Sequence, residues 1–66
     1  MNSKLLRAKM VENDVSVYRL ADLLGLNPAT VRLKIQNDGF KVNEARAIAR
    51  ELSLTSSETQ AIFFAS

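Results

Sequence analysis

The chain has 66 residues, of which 47% are hydrophobic and 24% charged, with a net charge of +2 and neither Cys nor His. That length allows one small domain. The missing residue types exclude a disulfide scaffold, zinc sites built on thiolate or imidazole, and His-dependent nucleophilic catalysis, so neither an enzyme nor a cofactor is expected.

The hydrophobic fraction is too high for disorder, and no apolar run approaches the ~18–20 residues of a membrane span. The N-terminus has no apolar stretch of signal-peptide length, so a cytoplasmic protein is expected. The charges are skewed. Residues 1–36 carry Lys4, Arg7, Lys9, Arg19, Arg32 and Lys34 against Glu12, Asp14 and Asp22, a balance of +3, whereas the rest of the chain is −1. Such a skew hints at a basic face turned toward an anionic partner.

The punctuation predicts helices in sequence. Asn2–Ser3 precede a first helix over Lys4–Val11, with Leu6 and Met10 inward, Leu5 beside them, and a polar stop at Glu12–Asn13–Asp14. Ser16 is an N-cap for a second helix, Val17–Leu24, whose inward residues are Leu20, Ala21 and Leu24. Gly25 stops it, because Gly takes the left-handed conformation without steric cost. Asn27–Pro28 opens a third helix, with a capping side chain and then Pro at the first helical position. Val31 and Ile35 give this helix its buried edge, and Asn37–Asp38–Gly39 ends it. Phe40 and Val42 are expected as core anchors. A fourth helix over Val42–Leu52 buries Ala45, Ile48, Ala49 and Leu52 at helical spacing. Thr55 and Glu58 have capping-box spacing, so a fifth helix should run through Thr59 to Phe64.

No segment alternates with period two. The expected fold is all-α: five short helices in one domain over residues 1–66, leaving no separate dimerisation or sensor domain. At the end stand Ile62, Phe63 and Phe64, which a helix spreads over about 200°. One of them, Phe64 or Ile62, should stay exposed, and the three are the expected contact with a second subunit or partner.

The informative stretch is Leu20-Ala21, three residues, Gly25-Leu26-Asn27, three residues, Val31. A connection this short makes the two helices cross steeply, and the small Ala21 lets them approach. This pattern resembles the helix-turn-helix of lambda-type phage repressors and Cro proteins, the XRE-like group. The likeness extends over residues 4–64. Thr30–Ile35 followed by Phe40-Lys-Val-Asn-Glu44 is similar to small phage regulators of Gram-positive hosts. The resemblance implies a lambda-repressor-like domain in a bacterial host cell, with the third helix in the major groove of double-stranded operator DNA.

Opposite Val31 and Ile35 lie Pro28, Ala29, Arg32, Leu33 and Gln36, with Thr30 and Lys34 at the sides. On this reading Arg32 takes a guanine edge or a phosphate, Gln36 reads adenine, Ala29 and Leu33 meet thymine methyl groups, and Thr30 meets a base or phosphate. Asn27 stands at the start of the reading helix. Phosphate contacts are expected at Ser16, in the first turn of the second helix, and at Lys41. The family often carries Gln where this chain has Val17; Tyr18 and Arg19 stand beside it as substitutes. The implied function is a transcriptional regulator that occupies a promoter, paired as a homodimer on a palindrome. An alternative is a modulator in a lysogeny switch that binds a partner phage repressor rather than, or as well as, DNA. Val17, the apolar Leu33 and the Ile62–Phe64 cluster favour that alternative.

Overall fold

A computed structural model describes residues 1–37 and 39–64. Its elements are α1 (Ser3–Glu12), α2 (Val17–Leu24), α3 (Pro28–Asn37), α4 (Val42–Glu51) and α5 (Ser56–Thr59), which widens into a π-helical turn, Gln60–Phe64. Among the described residues there is no strand, so the fold is all-α. Each helix starts where a side chain satisfies the free N–H groups of its first turn. The side-chain oxygen of Asn2 accepts from the Leu5 N–H at 3.0 Å, and that of Ser16 from the Arg19 N–H at 3.2 Å. Asn27 Oδ1 accepts from the Ala29 N–H at 2.8 Å, and Thr55 and Glu58 form the reciprocal box at 3.1 and 2.9 Å. At α4 the capping residue Lys41 has no acceptor; instead Glu44 Oε1 reaches back to the Lys41 N–H at 2.9 Å.

Three helices end the same way. Gly25, Asp14 and Ser53 all adopt positive φ, at 66°, 53° and 54°. In each case the next residue donates back across the turn, Leu26 to Ala21, Val15 to Met10 and Leu54 to Ala49, each at 2.9 Å. Those three following residues are apolar and pack against the core, completing the left-handed cap. A Cβ at Gly25 would meet nothing within 4 Å, so substitution there costs backbone strain alone. Gly25→Ala is expected to lower the unfolding free energy by about 1–2 kcal/mol. Ser53→Gly should raise it by about 0.5 kcal/mol, its relief of strain partly offset by a freer unfolded chain. Urea melts of both variants check the pair.

The core unites Leu6 and Met10 of α1, Leu20 and Ala21 of α2, Val31 and Ile35 of α3, Ile48 of α4, Leu52 just past it, and Ile62 of the last turn. Ala45 and Ala49 are also buried, and among the described residues no polar or charged one is. The start of α1 is tied at two points: the Asn2 N–H donates to the Ile62 carbonyl of the π turn and Ser3 Oγ to the Ile35 carbonyl of α3, both at 2.7 Å. Val42 corrects an expectation. It is 54% exposed, because it occupies the first position of α4, ahead of the turns that meet the core. Phe40 takes the anchoring role, its ring edge-to-face with Phe63 at 6.3 Å. The fifth helix runs to Phe64 as expected, widening into the π turn over its last five residues.

Ion pairs staple the helices. Lys9 of α1 meets Glu58 of α5 at 2.5 Å and Glu12 at 3.4 Å. Arg19 of α2 sets a fork on Glu51 of α4, at 2.8 and 3.2 Å, and reaches Asp22 at 3.4 Å. Lys34 of α3 meets Glu44 of α4 and the Gly39 carbonyl, both at 3.2 Å. Their energies are small individually, since most of these groups keep contact with water.

The carboxyl of Glu58 is held down at about 2, first by Lys9 and then by the Thr55 N–H. Lys9 and Arg19 likewise lower Glu58 and Glu51, and the Lys41 N–H with Lys34 lowers Glu44. A depressed carboxyl stabilises the fold above its unfolded value of about 4.3, and that stabilisation is lost as pH falls toward the folded value. Thermal midpoints should therefore hold constant above about pH 5 and decline on acidification toward about 2. Glu58→Gln should flatten that decline.

Candidate nucleic-acid interface

The outer face of α3 is fixed by what the helix buries. With Val31 and Ile35 in the core, the residues left exposed on this helix include Ala29, Thr30, Arg32, Leu33 and Gln36. Ala29 and Leu33 stand one turn apart, and so do Arg32 and Gln36; on a helix such pairs lie side by side. The face therefore carries an apolar strip beside a polar one. Leu33 is 57% exposed, so it contributes nothing to the core.

The ion pairs change the electrostatics more than the net charge suggests. Among the described residues every Asp and Glu except Asp14 faces a cation of its own chain. Lys9, Arg19 and Lys34 do so in direct ion pairs and Lys41 acts on Glu44 through space, whereas Lys4, Arg7, Arg32, Arg46 and Arg50 have no ion pair within 4 Å among those residues. The positive charge is thus set apart from the negative: the clusters on Lys9 and Arg19 each hold two carboxylates and stay net negative, while the cations without ion pairs stand elsewhere on the surface.

Arg32 is held without being neutralised. Its Nη2 donates to the Tyr18 hydroxyl at 3.3 Å, and its guanidinium carbon lies 5.5 Å from the centre of the Tyr18 ring. Tyr18 comes from the first turn of α2 and is 64% exposed. A cation over an exposed ring is worth about 0.5–1 kcal/mol, enough to bias the rotamer while leaving the other N–H donors of the fork free. Beside it lies a cleft of about 240 Å³ lined by Arg7, Val17, Arg32, Ile35 and Gln36. Arg7 is the residue that sequence reasoning missed. Its outward position in α1 follows from the inward Leu6 and Met10, but its place next to α3 is set by tertiary packing.

The flanking positions are less uniform. Ser16 spends its hydroxyl oxygen on the Arg19 N–H, so any anion there must use the N–H groups of the first turn of α2. Asn27 likewise spends its side-chain oxygen on Ala29, which makes it a cap. Arg19 does not replace the missing clamp at Val17: Glu51 holds its fork, and Tyr18 is turned to Arg32. Lys41 is exposed beyond the far end of α3, makes no ion pair within 4 Å among the described residues, and has the Glu44 carboxylate nearby.

Of the three C-terminal residues, Ile62 is fully buried and Phe63 half-buried, whereas Phe64 is 43% exposed. Ile62 is therefore corrected from interface to core. Phe64 keeps the exposed role, with its ring 6.3 Å from that of Phe63.

The chain matches no protein-family model, no characterised protein and no solved structure. Among the described residues no helix is long and apolar enough to cross a membrane, and no group of three or more acidic residues is placed to hold a metal ion.

Proposed function

We propose that this chain is a transcriptional regulator of the lambda repressor and Cro kind, binding double-stranded operator DNA through α3. The observation that carries the reading is the outer face of α3. It is exposed along its length, opposite a buried edge, and it bears an unpaired Arg32 oriented by Tyr18. The left-handed Gly25 and the three-residue connection Gly25–Leu26–Asn27 support it, because they turn the chain sharply between α2 and α3.

In this mechanism the outer face of α3 lies in the major groove. Arg32 sets its fork on a guanine edge, Gln36 pairs with adenine, and Ala29 and Leu33 cover thymine methyl groups. Thr30, the first turn of α2 at Ser16, Lys41 and Arg7 supply contacts to phosphate. The exposed Phe64 is the contact for a second copy on the other half-site. Repression then follows from occupancy of the promoter.

Gel shifts on the DNA upstream of the gene test the reading. Binding should tighten on that DNA relative to random duplex and weaken steeply with salt. Lys41→Ala should weaken both duplexes alike and reduce the salt slope by about one. Equal, salt-insensitive binding of all duplexes would remove the proposal. One observation favours a second reading, a modulator that binds a partner phage repressor: Leu33, apolar and exposed, sits among the would-be base readers. Co-purification with that repressor, lost in Leu33→Ser, would support it over DNA.

A further inference from the structure

A second groove opens where the end of α1, the chain leading to α2 and the first turn of α2 meet Ile35 of α3. It has a volume of about 290 Å³ and is lined by Arg7, Met10, Val11, Val15, Val17 and Ile35. Arg7, Val17 and Ile35 also line the cleft that holds Arg32 and Gln36. The two therefore adjoin across those residues and together form one surface channel, aliphatic at the Val11 end and basic at the Arg32 end. Val11 is 78% exposed, the highest value among the large hydrophobic residues described. Neither guanidinium along the channel, Arg7 or Arg32, has an acidic partner among the described residues.

We propose that this channel receives an acidic amphipathic segment of a partner protein, with aliphatic side chains on Val11, Val15 and Val17 and carboxylates on Arg7 and Arg32. Three features select that chemistry. The exposed Val11, with the half-buried Val15 and Val17 beside it, gains from apolar cover, which a phosphate backbone does not offer. Arginine forks at one end pair bidentately with carboxylates. A second copy of this chain lacks the complement, because among the described residues Asp14 is the only acid not already facing a cation. The proposal goes beyond DNA binding and does not rest on it. Where both hold, they share Arg32, so segment and operator exclude one another and the segment relieves repression.

The test uses the whole chain with labelled valine methyl groups and a short synthetic helix-forming peptide of leucine, glutamate and alanine, its leucines on one face. The peptide should shift the methyl signals of Val11, Val15 and Val17. A version with lysine in place of glutamate should not bind. Arg7→Glu and Val11→Gln, both at exposed positions, should each weaken binding about 10-fold or more, equivalent to about 1.4 kcal/mol. Circular dichroism melts of both variants verify that they are folded. No perturbation at the three valines, or equal binding of the lysine peptide, would overturn the proposal. So would a random DNA duplex that shifts those valines as strongly, since the channel would then belong to nucleic acid. A chain that binds the peptide but no operator loses the DNA reading and keeps this one; the converse loses this one alone.

Discussion

Ile62→Ala is expected to lower the unfolding free energy by about 2–5 kcal/mol, the usual range for emptying a buried aliphatic site. For a chain of 66 residues, at about 0.05–0.15 kcal/mol per residue, that is much of the whole stability. The residue is fully buried in the central cluster, although it belongs to the last turn of the chain. Its carbonyl also accepts the Asn2 N–H at 2.7 Å, so loosening the turn loosens the start of α1. Truncation leaves a cavity that the other core side chains, packed from other elements, fill only by moving. Phe64→Ala, two positions along and 43% exposed, should cost less than half as much. Urea melts of the two variants make the comparison. Equal losses would mean that Ile62 is no more a core residue than Phe64.

Arg32→Ala is expected to remove about 1–3 kcal/mol of discrimination between operator and random duplex, roughly 5- to 150-fold, while leaving the fold intact. The side chain is exposed and supports no helix contact beyond Tyr18, so its loss should be felt at the DNA. Arg32→Lys should not restore discrimination, because an ammonium cannot present a planar fork to a guanine edge. Tyr18→Phe keeps the ring under the guanidinium and loses only a weak bond of 3.3 Å, so its effect should be smaller than that of Tyr18→Ala. Competition gel shifts at fixed salt measure all four. Discrimination unchanged in Arg32→Ala would place the contact elsewhere on the surface.

The helices were readable because their signals are local. Ser16, Gly25 and the Asn27–Pro28 pair mark ends that depend only on neighbouring backbone groups, and Leu20, Val31 and Ile48 follow helical spacing. The left-handed ends at Asp14 and Ser53 were less legible, since neither residue announces positive φ as Gly does. Val42 misled because an apolar residue at a helix start has the right period and still stands short of the core. The outer face of α3 was visible as the complement of Val31 and Ile35. Its surroundings were not. That Arg19 is taken by Glu51 and Lys34 by Glu44, while Arg7 comes to the side of Arg32, depends on pairs distant in the chain.

Titration of the chain against its own upstream DNA and against random duplex of equal length, each at two salt concentrations, separates operator recognition from general attraction to nucleic acid. Binding to the upstream DNA should be tighter at both salts, with both affinities falling as salt rises and the preference lost in Arg32→Ala. Indistinguishable affinities for the two duplexes at both salts, unchanged in Arg32→Ala, would contradict operator recognition.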